Sequence, residues 1–281
     1  MNFEIAILYL STALPPIILG LIIWKSDRFQ EPGKFLFASF LLGVAIIFPL
    51  DFLIIVAQDI LAPLLNLDME SYKNWIDGGY KAEGAVTPVA ERAYMNFFRA
   101  AFLEEGLKFA LLIFFCVRLA DLNEPIDAIV YGAAIGLGYA AIENLGYLQS
   151  PSFENAWTME MVKVRYYPLI MHMGFGVVMG LFLSLNLFEE RSTFKRRLML
   201  ILSLLIPVIY HGVYNYYGTA DIFPMLTAIL VIGIVYYFRR EQLKKITECV
   251  DKARIENINV FYSYTLTLLL VILIVFSAIM F

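Results

Sequence analysis

The sequence predicts an all-α, polytopic membrane protein, on three observations. Of its 281 residues 60% are hydrophobic and only 16% charged, with a mean hydropathy of +0.73. Apolar runs long enough to cross about 30 Å of hydrocarbon as helix recur along its length. Lys and Arg gather in alternate connecting segments, as they do when such runs weave through a bilayer. The net charge of −4 is mild and supplies no basic surface for nucleic acid. Cys116 lies in an apolar run and Cys249 in a charged one, so no disulfide framework is implied.

About eight spans are expected, near residues 3–24, 35–61, 97–118, 126–148, 166–188, 198–217, 222–238 and 260–281. The first lacks the basic leader of a signal peptide and reads as a retained helix. The second carries Asp51 beside Pro49, which predicts a kink or an interfacial end near Gln58. Pro224 suits the first turn of the seventh. Lys25, Arg28, Lys34, Arg118, Arg191, Lys195, Arg196, Arg197 and the basic residues from Arg239 to Arg254 all follow odd-numbered spans. Those loops are therefore assigned to the cytoplasm and both termini to the outside. The whole chain, 1–281, reads as one transmembrane domain. Its outer loop, about 62–96, mixes Tyr72, Trp75, Tyr80 and Tyr94 with Gly78-Gly79 and Pro88, a composition that fits an interfacial flap or a plain solvated loop. The cytoplasmic linker, about 239–259, fits a charged helix or a simple connector.

The third span contains Glu104-Glu105-Gly106-Leu107-Lys108 in an otherwise apolar setting. A charge at the centre of a membrane helix costs roughly 2.5–3.5 kcal/mol on insertion scales, so such groups pair, face water or do chemistry. Glu143 lies near the outer end of the fourth span, His172 near the outer start of the fifth, and His211 and Asn215 near the outer end of the sixth. At 1.5 Å rise per residue these groups fall roughly 8–12 Å below the outer interface, in one slab. Taken singly, a buried histidine is as often a core residue, and Glu104 with Lys108 is an ordinary i,i+4 pair. Acids and both histidines from four helices at one depth are harder to explain by structure alone. His211 and Asn215 share a helix face, as do Glu104 and Lys108, while Glu105 points about 100° away. Glu104 is accordingly expected as the lead base, with Glu105 as the alternative. Gly132 with Gly136, and Gly176 with Gly180, permit close helix approach.

Two chemistries fit these residues. Glu143, His172 and His211 form a ligand set of the kind that holds zinc, with a further glutamate as base. Without metal, Glu104 or Glu105 would activate water directly, with His211 and Asn215 donating to the developing oxyanion. The HExxH pattern of the common zinc-protease helix is absent.

At these residues a family resemblance emerges. Glu104-Glu105-Gly106-Leu107-Lys108 resembles the EExxK motif of the PrsW family of intramembrane proteases. Tyr139-Ala140-Ala141-Ile142-Glu143-Asn144 is similar to that family's FxxxE followed by Asn, with Tyr for Phe. His172 and the His211-Gly212-Val213-Tyr214-Asn215 stretch resemble its two later motifs. The last also matches the HxxxN of a superfamily with CAAX prenyl proteases and bacteriocin-immunity proteins, whose more usual EExxxR is not matched. The resemblance covers about 97–217 and makes that stretch the expected catalytic core. It implies a multi-pass, prokaryotic plasma-membrane endopeptidase acting on membrane-anchored proteins, with anti-sigma-factor cleavage on the outer side as the best-known role. It also implies a metallopeptidase, although related prenyl proteases have been argued to use glutamate. Two other readings remain: an ion or solute transporter, since buried charges mark ion paths, and a catalytically silent immunity-type or scaffold protein.

Overall fold

The computed structural model describes residues 3–77, 88–148, 165–188, 192–217 and 222–246, which form helices and no strand. The chain opens with α1 (Phe3–Ser26) and the long α2 (Gly33–Leu64). A short α3 (Met69–Asp77) follows. Then α4 (Val89–Ala93) runs through a π-helical stretch, Tyr94–Phe102, into α5 (Leu103–Phe114) and a 3₁₀ turn at Cys116–Arg118. Four long helices complete the described chain: α6 (Pro125–Leu148), α7 (Tyr166–Leu187), α8 (Thr193–Tyr217) and α9 (Ile222–Ile246).

Among the described residues six helices are long and apolar enough to cross a membrane. The expected third span is not one of them. Arg99, Glu104, Glu105 and Lys108 interrupt its apolar character, and its helix changes winding at Phe102. The expected eighth span, 260–281, lies outside the described residues, as do Cys249 and the linker beyond Ile246. Up to that point the linker continues α9 as helix. The break in α2 falls at Ile46, between its Gly33–Ala45 and Ile47–Ile55 segments. Pro49 causes it one turn upstream, because its ring crowds the carbonyl four residues back and it has no N–H to donate. Asp51 is exposed beyond that break, and Gln58 lies in a π-helical turn at Val56–Leu61.

Two helices form the centre. The apolar windows of α6 and α7 are 89% and 83% buried, against 22–39% for the other four spans. Glycines allow this. A Cβ on Gly132 would fall on the Gly176 carbonyl, on Gly136 on the His172 carbonyl, and on Gly180 on the Ala128 carbonyl. The small-residue steps thus bring the two backbones into direct contact. Gly43 and Gly138 do the same between α2 and α6.

Polar groups at one end of the bundle clasp three helices. Asp27, just past α1, accepts hydrogen bonds from the Phe29 amide (3.0 Å) and the Gln242 side-chain amide of α9 (2.9 Å). Gln242 also donates to Glu124 beside α6 (2.6 Å), and the Tyr131 hydroxyl donates to Glu31 (2.7 Å). Asp127 and Glu143, on the same helix, are separated by about 24 Å of rise, so this clasp and the Glu143 region occupy opposite ends.

Candidate active site

The continuous helical run from α4 to α5 carries Arg99, Glu104, Glu105 and Lys108 along the side of α6, α7 and α8. From α6 come Tyr139, Glu143 and Asn144; from α7, His172 and Phe175; from α8, His211 and Asn215. All eight residues named by the sequence fall in one region. A cavity of about 350 Å³ is lined by Glu104, Glu143, His172, His211 and Asn215, among others.

Glu105 is the hub beneath that cavity and is 0% exposed. Its Oε1 accepts from Lys108 Nζ at 2.7 Å and from His211 Nδ1 at 2.9 Å, with His172 Nδ1 at 3.8 Å. Lys108 also donates to His172 Nδ1 at 2.9 Å. Because an ammonium only donates, that nitrogen accepts, and the proton of His172 sits on Nε2. Nε2 then donates to Glu143 Oε2 at 3.2 Å. The same reasoning assigns the His211 proton to Nδ1, where the carboxylate accepts it, and leaves a lone pair on Nε2. That nitrogen lies 4.0 Å from Glu104 Oε2. A carboxylate behind an imidazole in this way fixes its tautomer and orientation.

Spacing along the helix favoured Lys108 with Glu104. The structure places Lys108 Nζ 4.0 Å from Glu104 and 2.7 Å from Glu105. Glu105 is therefore held and buried, whereas Glu104 faces the cavity. Aromatic rings fix the rest. Tyr139 lies under Lys108 (4.1 Å) and edge-on to His172 (4.9 Å), and Phe175 stacks on His211 (5.0 Å).

Arg165 was not among the residues expected here. It pairs with Glu143 (2.7 Å), donates to Asn144 Oδ1 (2.8 Å) and lies over Tyr147 (3.8 Å). At the end of a span an arginine looks like an interfacial anchor, so sequence gave little reason to single it out. The segment between α2 and α5 also contributes: Tyr72 lines the cavity, and Arg92 lies over both Trp75 and Tyr216 and donates to the Tyr216 carbonyl. Tyr80 and Gly78-Gly79 lie outside the described residues.

Glu104, Glu105, His172 and His211 each offer a donor atom, all within 4.8 Å of one another. Glu143 is not in that group; it stands beside His172, bound to Arg165. Glu104 Oε2 and Glu105 Oε2 are buried and accept no hydrogen bond among the described residues. Two orphaned carboxylate oxygens beside two imidazoles fit a divalent metal that takes mixed N and O donors.

The sequence profile of the PrsW family, described as intramembrane metalloproteases, matches residues 31–241. The chain belongs to the PrsW family. It is similar to protease PrsW of Geobacillus kaustophilus, 32% identical over 192 residues, which cover 68% of this chain and 70% of that one. Protease PrsW of Bacillus subtilis is 31% identical over 207 residues, 73% of this chain and 80% of the relative. That of Clostridioides difficile is 28% identical over 236 residues, 83% and 89%. No solved structure matches the chain significantly. Membership in the PrsW family makes the chain a member of a family of membrane-embedded bacterial proteases, and the site described above lies within the matched region.

Proposed function

We propose that this chain is a plasma-membrane endopeptidase that hydrolyses peptide bonds of membrane-anchored proteins at the cavity above Glu105. The observation that carries this reading is the group of two acids and two imidazoles, drawn from three helices and buried beside a cavity. Glu104 is the general base. Its carboxylate takes a proton from water as the water oxygen bonds to the scissile carbonyl carbon, then delivers that proton to the departing amine as the C–N bond breaks. Asn215 lines the same cavity and donates to the oxyanion that develops. Glu105 and Lys108 act behind them, holding His211 and His172 in position. Glu143, with Asn144 and Arg165, braces His172 from the other side.

The residues that would hold zinc are His211, His172 and the orphaned oxygen of Glu105, with Glu143 in reach of His172 and Glu104 left beside them as the base. The chemistry a zinc ion supplies in such a donor set is polarisation of the carbonyl and acidification of the attacking water. One observation favours the metal-free glutamate alternative: Lys108 and Glu143 already engage both ring nitrogens of His172.

The charge pattern supports eight spans with both ends and the cavity outside, and with it a role of the anti-sigma-factor type. Purified protein in detergent should cleave a single-span reporter. Glu104→Gln should lower the rate by about 10²–10⁴-fold, the usual worth of a general base, without loss of folding. Metal content measured in the wild type, His172→Ala and His211→Ala decides the second question: bound zinc lost in both variants supports the metal, and an active metal-free wild type supports glutamate. Full activity in Glu104→Gln would sink the base assignment. Ion flux in proteoliposomes that tracks Glu143 and His211, with no cleavage, would replace the peptidase by a transporter.

A further inference from the structure

Two arginines line the cavity, and among the described residues only one of them is paired. Arg165 is taken up by Glu143 and Asn144. Arg99 makes no side-chain hydrogen bond or ion pair among the described residues, although Glu104 and Glu143 line the same cavity, and its Nε is buried. Arg99 is only partly buried: its Nε is hidden, while the terminal nitrogens of the guanidinium stay accessible beside the cavity it lines. A guanidinium that meets no carboxylate among the described residues is open to an anion entering the cavity.

The helix is wound to put it there. In regular α-helix, residues 99 and 104 stand about 140° apart. The wider π turn over Tyr94–Phe102 carries Arg99 round toward Glu104's side. Such π turns tend to occur at functional sites.

We propose that Arg99 forms a carboxylate-binding subsite in this cavity, gripping an Asp or Glu side chain of the substrate next to the cleaved bond. The proposal rests on the peptidase reading above. The planar guanidinium matches a carboxylate with two parallel hydrogen bonds. It also offsets Glu104, whose negative charge would otherwise repel an acidic segment. Phosphate of a lipid headgroup is a rival anion. The position of Arg99 among the residues of the hydrolytic group favours the peptide.

The test uses purified full-length protein and labelled single-span segments bearing Asp, Glu, Asn or Gln on either side of the scissile bond. The acidic segment should be cleaved roughly ten- to hundredfold more efficiently than its amide twin, the range for one hydrogen bond to a charged group, with the difference in KM. Arg99→Gln should erase the preference and Arg99→Lys should keep part of it. Binding of the same segments, read by fluorescence anisotropy, is independent of hydrolysis. An acid preference in binding that Arg99→Gln removes supports the subsite even where no bond is cut, and the peptidase reading then fails alone. Cleavage by the wild type with no acid preference overturns the subsite and leaves the peptidase standing. A loss in Arg99→Gln that is equal for acidic and amide segments also overturns it, and points to lipid anchoring or a structural role. Should Arg99→Gln not fold, Arg99→Lys decides: an acid preference unchanged from the wild type overturns the proposal.

Discussion

Lys108 lies three residues from Glu105 and four from Glu104, and both spacings put an amine beside a carboxylate on a helix. The amine is 1% exposed and has settled on Glu105 and His172 together. Removing it leaves Glu105 as a buried charge that has lost its cation. Lys108→Met should therefore destabilise the protein by about 3–5 kcal/mol, the usual cost of breaking a buried pair from one side. Thermal unfolding in detergent measures it, and a change under about 1 kcal/mol would mean the pair is not closed in solution. This choice between the two glutamates could not be read from spacing, because either one lies within reach of a lysine. The acids and histidines themselves were legible, since ionisable groups stand out in apolar runs. Arg99 and Arg165 were not, because at the ends of spans arginine is ordinary.

The contact between α6 and α7 sets where His172 stands. Gly136 abuts the His172 carbonyl, and Gly132 abuts Gly176 one turn away. Gly136→Ala should force the helices apart at the site, at about 1–3 kcal/mol of overpacking, and lower the rate by as much as about 10²-fold through misplacement of His172. Gly146→Ala, whose Cβ meets nothing within 4 Å, is the matched control and should leave both unchanged or slightly improved. Equal effects of the two substitutions would show that close approach is not what positions His172. The small-residue steps were visible in the sequence. Their consequence was not, since nothing in the spacing says that Gly136 faces the backbone of a catalytic candidate. The π-helical stretch was likewise hidden: Tyr94–Phe102 has no residue that signals a change of winding.

Across the whole molecule, the clasp of Asp27, Glu31, Glu124, Tyr131 and Gln242 closes the end away from the cavity. Its acids carry no signal in the sequence because each sits at the edge of a span, where acids are common; they meet only in three dimensions. Burial raises the Asp27 carboxyl above its ordinary 3.8, against the pull of the Gln242 amide. A carboxyl raised on folding favours the protonated form. Its stabilising share is thus full below 3.8 and lost as pH climbs through the raised value. Asp27→Asn cannot ionise and keeps an acceptor for Phe29 and Gln242. Its Tm relative to the wild type should therefore be higher at neutral pH than below 3.8. A difference that does not vary with pH would remove Asp27 from the account. The clasp also governs the order of manufacture. Its Asp27–Gln242 bond joins residues 215 positions apart, so a growing chain can close Tyr131 on Glu31 early but leaves Asp27 and Glu124 without their common partner until α9 is delivered. A chain halted ahead of Gln242 carries every helix that bears the hydrolytic group, yet with the far rim only half buttoned.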